Sequence, residues 1–361
     1  MDQSLQAFDL HKFCTDLVKW YRENKRALPW REDQDPYKIW VSEIMLQQTR
    51  VDTVIPYFER FISLFPTPDA LACAEEETVL KAWEGLGYYS RARNLQHAVK
   101  EVTEHYGGIV PDTKDEISTL KGVGPYTAGA ILSIAYNQPA AAVDGNVMRV
   151  MSRLLTIYDD ISKVKTRKRF ESIIEELVVH TEPADFNQAL MELGALVCTP
   201  RSPSCMLCPV QDHCNAREEG VQEFLPVKAK KKPPKTKFMK AAVIENQHGQ
   251  VLIERRPETG LLAKLWQFPN CEDEMSDDVT KLSQHLSDRD AQPDDLEKVQ
   301  HVKHVFSHIV WEIDVYKGKC VVKGQKEASS HLKWVDKEEV DWYPFPVSHQ
   351  KIIDKVVKEA L

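Results

Sequence analysis

No stretch of the chain approaches the roughly 18 apolar residues of a membrane span, and the N-terminus, MDQSLQAFDLHKF, lacks the basic and then apolar regions of a secretory leader. These absences predict a soluble, cytoplasmic protein with no membrane partner. Cysteine is scarce: eight in 361 residues are too few for a disulfide scaffold. No internal repeat is present. The chain also lacks an excess of positive charge, since 47 Lys and Arg against 55 Asp and Glu give a net charge of -8. Taken whole, that balance argues against a partner as anionic as nucleic acid.

The total averages unlike segments. Residues 1–227 hold 24 basic against 33 acidic side chains, 228–237 hold six lysines and no acid, and 238–361 hold 17 against 22. Residues 226–238, which add a third proline to the lysine-rich stretch and hold little that is apolar enough to pack, predict an extended linker. A length of 361 residues with 42% hydrophobic residues predicts two or three domains, each with its own core.

What is present before the linker is helical. Asp35-Pro36 predicts an N-cap and first-turn pair opening a helix through Glu43 to Leu46. Thr49 with Asp52 resembles a capping box for the next helix, which places Gln47 and Gln48 at a helix break, and Thr113 with Glu116 is a second such box. Pro66-Thr-Pro68 ends one helix and starts another. After the linker the period changes: AAVIEN, the turn Gln247-His248-Gly249 and QVLIERR predict a hairpin, HIVWEIDVYKG and HLKWV further strands, and HQKIIDKVVKEAL a helix. Residues 272–297, with ten acids against two basic residues, predict a helix flanked by loops.

The chemistry-bearing residues fall into three groups. Cys198, Cys205, Cys208 and Cys214 crowd into 17 residues, enough to close a tetrahedral zinc site or to hold the corners of an iron-sulfur cube; spacing alone leaves both open. Arg201 gives that loop a basic tip. Gly122-Val123-Gly124 before Pro125 predicts a tight turn whose amides point at an anion such as phosphate, with both glycines at positive φ. Glu43 lies mid-helix with Ile39, Trp40, Leu46 and Gln47 on its face, so its carboxyl is expected to ionise above the ordinary range, and Asp144 precedes a helical run as an N-cap candidate.

The cysteine spacing, the hairpin and Asp144 in VDGNV together resemble the endonuclease III superfamily of DNA glycosylases. With WVSEIMLQQT, GLGYYSRA and LKGVGPYTAGAI, the resemblance narrows to the MutY family of adenine DNA glycosylases. It implies an all-α helix-hairpin-helix glycosylase over 1–225, made of a six-helix module at about 30–135 and an iron-sulfur module from about 1–29 plus 136–225. A [4Fe-4S] cluster would be held by the four cysteines. Residues 239–361, with GLLAKLWQFP as the recognisable stretch, resemble the Nudix fold, an α+β domain.

The resemblance also implies roles. Glu43 is expected as general acid and Asp144 as stabiliser of the oxocarbenium ion, with Tyr126 and Asn146 around it. Trp30, Arg31 and Gln188 would line an adenine pocket, and Gln48, Leu86 and Tyr88 would enter the duplex. Thr49, Phe306, Ser307 and His308 would read 8-oxoguanine. The substrate is double-stranded DNA with 8-oxoguanine:adenine or guanine:adenine mispairs, and the protein a monomer. Lyases of the superfamily carry a lysine where this chain has Tyr126, and a phenol cannot form an imine, so a monofunctional enzyme is expected. Competing readings are a pyrimidine glycosylase/lyase, a non-catalytic iron-sulfur DNA-binding protein, and a pyrophosphohydrolase. The second domain has no Arg-Glu-x-x-Glu-Glu pattern for magnesium. The basic run Lys163, Lys165, Arg167, Lys168 and Arg169 is a further phosphate candidate.

Overall fold

Capping chemistry sets several of the helix starts in the computed structural model, which describes residues 2–6, 8–230, 233–274, 276–322 and 331–358. Lys231 and Lys232 of the expected linker and the last three residues of the expected C-terminal helix lie outside the described residues. The helices before the linker are α1 (Leu10–Asn24), α2 (Pro36–Leu46), α3 (Val51–Leu64), α4 (Pro68–Cys73), α5 (Glu76–Ala82), α6 (Ser90–Tyr106), α7 (Lys114–Ile117), α8 (Pro125–Tyr136), α9 (Gly145–Leu154), α10 (Val164–Val178), α11 (Pro183–Leu196) and α12 (Asn215–Glu218). Asp35 accepts from the Tyr37 and Lys38 amides at the start of α2, and Thr113 caps α7 through the Glu116 amide.

Thr49 corrects one expectation. It is not the N-cap of α3, which starts at Val51, after Arg50, and has no side-chain cap. The cause is Gln48, whose φ of 60° puts it in the left-handed region and turns the chain before the helix can begin.

The chain divides into two compact units, Met1–Cys73 with Asn94–Lys230 and Ala74–Arg93 with Lys231–Leu361. In the first, one core joins Phe13, Leu17 and Tyr21 of α1 to Val147, Met151 and Leu154 of α9, Phe170 and Ile174 of α10, and Phe186 and Leu190 of α11, with Cys198, Cys208 and Cys214 packed against its edge. Residues 74–93, inside the range expected of the helical domain, group with the second unit.

The second unit is built on strands β1 (Lys235–Glu245), β2 (Val251–Arg255), β3 (Trp266–Gln267), β4 (Asn270–Glu272), β5 (Glu297–Val305), β6 (Ile309–Lys319) and β7 (Leu332–Val335), with α13 (Thr280–Ser287) and α14 (Val347–Ile352). Their order is β3-β2-β1-β6-β5, β4 pairing with β1 and β7 with β2. Period-two alternation assigns the faces. Met239, Ala241 and Val243 of β1 pack with Ile352 and Val356, whereas Ala242 and Ile244 pack with Leu282 and Leu286 of α13.

The lysine-rich stretch is shorter than expected as a linker. β1 begins at Lys235, because Lys235–Phe238 run parallel to Ile309–Glu312 of β6 and their amides find partners there. α5 and the turn after it dock within this unit through side chains: Trp266 Nε1 donates to Glu77 Oε1 (3.1 Å), Lys264 pairs with Glu76 (3.0 Å), and the Phe345 amide donates to Glu84 Oε1 (2.7 Å).

Candidate active site

Three helix segments of the first unit converge on a cavity of about 620 Å³ lined by Trp30, Arg31, Glu43, Gln48, Tyr126, Asp144, Asn146 and Gln188, among others. Glu43 comes from the last turn of α2 and is 5% exposed. Tyr126 stands in the first turn of α8, where Gly124 as N-cap and Pro125 start the helix. Its hydroxyl donates to Glu43 Oε2 at 2.5 Å. Asp144 caps α9: Oδ1 accepts from the Val147 amide (2.7 Å) and Oδ2 from Asn146 Nδ2 (2.8 Å).

Electrostatics separates the two carboxylates. Burial pushes Glu43 up to about 7; the Tyr126 hydrogen bond and Arg31 draw it back, and Asp144 adds to the rise. Burial raises Asp144 as well, but the Val147 amide and Asn146 oppose it by hydrogen bonding to the charged form. Burial and the neighbouring Glu43 and Asp144 hold Tyr126 well above the ordinary phenol, so it remains a donor. The cavity thus offers one carboxyl able to hold a proton near neutrality and a second whose charged form is hydrogen bonded by two donors.

The pocket walls are largely immobilised. Trp30 packs edge-on against Phe58 with ring centroids 5.4 Å apart. Arg31 stands over the Tyr21 ring at 5.5 Å and donates from Nε to Gln188 Oε1 at 3.1 Å. Gly122 and Gly124 reach the cavity rim. Only Gly122 has positive φ (81°); Gly124 is extended at -93°, which corrects the expectation of two left-handed glycines, because an N-cap adopts the β region. A Cβ on Gly122 would lie 2.9 Å from Asn94 Cβ. Of the basic run, Arg169 is engaged by Asp2 (2.9 Å) and Asp159 (2.7 Å) and so is withdrawn from phosphate, while Arg167 reaches the cavity.

The four cysteines also come together. Cys198, Cys205, Cys208 and Cys214 line one small pocket with Arg153 and Arg217. Among the described residues, no three His, Cys, Asp or Glu side chains gather tightly enough to hold a single metal ion. Zinc would require all four sulfurs within about 2.3 Å of one centre. An iron-sulfur cube accepts one thiolate at each of four irons and so fits ligands spread round a shared pocket. Arg153, 1% exposed, donates to Cys198 Sγ (3.2 Å) and to the Thr199 carbonyl (2.8 Å).

Sequence reasoning missed Arg26, Arg149, Arg153 and Glu192. Arg149 Nε donates to the Cys198 carbonyl (2.8 Å) and its Nη2 to Asn146 Oδ1 (2.8 Å), so hydrogen bonds run from a cysteine of the loop through Arg149 and Asn146 to Asp144. The signal was two arginines four apart among the apolar residues of GNVMRVMSRL, an arrangement that demands buried partners.

In the second unit, Phe306-Ser307-His308 forms the turn of the β5–β6 hairpin, closed by the Phe306 amide on the Ile309 carbonyl (2.8 Å). Phe306 packs on Trp311 and His304 with centroids 5.0 and 4.5 Å apart. The hydroxyls of Ser307 and Tyr88 are hydrogen bonded. Tyr88 is 44% exposed at a φ of 47°. Leu86 is 6% exposed, so the expectation of a wedge is corrected for its side chain, which is spent on packing.

Comparison with known proteins agrees with this construction. The model for the HhH-GPD superfamily base excision DNA repair protein matches residues 41–176, that for the iron-sulfur binding domain of endonuclease III residues 198–214, and that for the NUDIX domain residues 240–355. The solved structure of a thermostable thymine-DNA glycosylase is 28% identical with a TM-score of 0.53, covering 58% of this chain and 97% of that one. Fold, paired carboxylates and cysteine loop define a helix-hairpin-helix DNA glycosylase with a [4Fe-4S] cluster, extended by a Nudix-type unit.

Curated relatives are more specific. An adenine DNA glycosylase of Rattus norvegicus is 38% identical, covering 92% of this chain and 75% of that protein. Another, from Buchnera aphidicola subsp. Schizaphis graminum, is 33% identical over 96% of this chain and 99% of that protein. The chain belongs to the adenine DNA glycosylase family.

Proposed function

We propose that this chain is a monofunctional glycosylase that hydrolyses the N-glycosidic bond of adenine opposite 8-oxoguanine or guanine in duplex DNA. The observation that carries the reading is one cavity holding Glu43, buried and shifted to about 7, beside the hydrogen-bonded Asp144. A flipped adenine is reached only outside the stack, and a cavity of about 620 Å³ lies within the ~300–1,000 Å³ usual for small-molecule sites.

Glu43 donates its proton to the leaving base, with Tyr126 fixing which carboxyl oxygen is free to do so. As the bond to the sugar lengthens, positive charge at the anomeric carbon meets the Asp144 carboxylate, held in place by Asn146 and the Val147 amide. Glu43, now ionised, draws a proton from the attacking water. Trp30 supplies a flat wall and Arg31 and Gln188 polar edges for reading adenine. The cysteine loop would hold the [4Fe-4S] cluster through Cys198, Cys205, Cys208 and Cys214, and the cluster's contribution is structural, since hydrolysis transfers no electrons.

Gln48 and Tyr88 are assigned to the duplex around the mispair. Thr49, Ser307 and His308 are assigned to the 8-oxoguanine, with Phe306 anchoring the turn on Trp311. The second unit acts as a binding module: α13, TKLSQHLS, carries no carboxylate with which to hold magnesium. Adenine release from an 8-oxoguanine:adenine duplex, scored by alkaline cleavage, tests the reading. Wild type should produce alkali-labile sites and Glu43→Gln none; release by Glu43→Gln at the wild-type rate would overturn the mechanism.

A further inference from the structure

Glu192, on α11, is 1% exposed and accepts five hydrogen bonds from two arginines of the cavity wall. Its partners are the Arg26 amide (3.0 Å), Arg26 Nε and Nη2 (both 2.8 Å), and Arg31 Nη1 (3.2 Å) and Nη2 (3.0 Å). Arg31 spends its other donors on Gln188 Oε1 and on the Arg26 carbonyl, each at 3.1 Å. The side chain assigned to reading adenine is thus held at every donor that the structure pairs, and the Tyr21 ring backs its guanidinium.

We propose that Glu192 is a positioning residue of the glycosylase: it locks Arg31 and Arg26 as walls of the base pocket, and by offsetting one of their two positive charges weakens the field that would ionise Glu43. The proposal rests on the glycosylase reading above and extends it to a residue with no contact to the reacting atoms.

Two properties support it. Bidentate pairing to a planar guanidinium fixes the orientation of its remaining edge, which a lone buried arginine would not hold. Charge is the second. Tyr126 faces Glu43 as a hydrogen-bond donor, and Asp144 and Arg31 act on it through space, Asp144 opposing and Arg31 favouring its ionised form. Arg26, Arg167 and Glu192 are the other charged side chains lining the cavity. Two half-buried arginines with no carboxylate between them would favour Glu43 as a carboxylate, which has no proton to give. Burial opposes ionisation of Glu192 itself, yet the hydrogen bonds from Arg26 and Arg31 bring it down to about 2, so its charge is present throughout the working range.

The test is the pH profile of single-turnover adenine release from an 8-oxoguanine:adenine duplex, measured on the full chain with its cluster. In wild type the rate should fall as pH rises through about 7, where Glu43 loses its proton. Glu192→Gln should move this alkaline limb down by about one pH unit, so that the loss relative to wild type grows about tenfold across the limb. Glu192→Asp, which keeps the charge, should leave the limb in place, and Arg31→Gln combined with Glu192→Gln should return it upward. A Glu192→Gln profile lowered equally at all pH, with the limb unmoved, would overturn the proposal. Should Glu192→Gln not fold, Arg31→Gln alone decides: with Glu192 intact its limb should move up, and an unmoved limb overturns the proposal. Wild type that releases no adenine refutes the glycosylase reading itself, an outcome separate from any movement of the limb.

Discussion

Glu43→Gln should inactivate the protein and stabilise it at alkaline pH. The Glu43 carboxyl is raised from an ordinary 4.5 to about 7, chiefly by burial. Its folded-state pKa lies above the unfolded one, so the folded state is the better proton binder between these values. Stability is therefore full below about pH 4.5 and lost as pH rises through about 7. At about 1.4 kcal/mol per pH unit, the gap amounts to about 3 kcal/mol withheld from the folded state above pH 7. Glutamine is the neutral isostere, and its amide oxygen still accepts from Tyr126. Denaturant unfolding of the first unit, followed by the visible absorption of its cluster, should show the variant more stable than wild type by about 3 kcal/mol at about pH 8, with the two converging toward about pH 4.5. Equal stabilities at both pH values would refute the burial of an ionisable acid. A variant less stable at about pH 8 would mean that the charged form is paired, not penalised.

Four further outcomes follow from the same geometry. Tyr126→Phe deletes the 2.5 Å hydrogen bond that favours the Glu43 carboxylate, so the alkaline limb of excision should move up by about one pH unit; movement downward would contradict the assignment of donor and acceptor. Arg149→Gln cuts the link from the Cys198 carbonyl to Asn146 and Asp144 and should slow excision about 10- to 100-fold at saturating enzyme, whereas an unchanged rate would show that Asp144 holds its position unaided. Gly129→Ala would place a Cβ 1.9 Å from the Ala141 carbonyl oxygen and should cost about 3 kcal/mol in unfolding experiments, with a neutral effect excluding that close packing of α8. Nonspecific duplex affinity should be weak with a modest salt slope, because the net charge is -8 and Arg169 is paired with Asp2 and Asp159; a steep slope would indicate many lysine-phosphate contacts.

Where the site residues sit could be read from local sequence, while their roles came from the resemblance of the combined motifs. Glu43 stands among apolar neighbours on one helix face, Asp144 at a cap, and the four cysteines within one loop. Glu192 could not be read in this way. Its partners are 161 and 166 residues away, and an isolated glutamate on a helix looks solvated until the tertiary fold brings arginines to it. The break after α2 was visible, but its form was not, since a glutamine at positive φ carries no compositional mark. β5 escaped for a different reason: in EKVQHVKHV only Val302 is buried, so an edge strand with charged partners on β6 shows little of the apolar alternation by which strands are recognised. Leu86 was assigned to the duplex by resemblance alone, and its side chain is 6% exposed.

The most direct measurement identifies the base set free from a panel of duplexes carrying 8-oxoguanine:adenine, guanine:adenine, thymine:adenine and oxidised pyrimidines, with borohydride present in parallel reactions. Free adenine from the first two alone, intact strands until alkali is added and no borohydride-trapped adduct are the expected results. Release of a pyrimidine with a trapped protein-DNA adduct would contradict the assignment of Glu43, Asp144 and Tyr126.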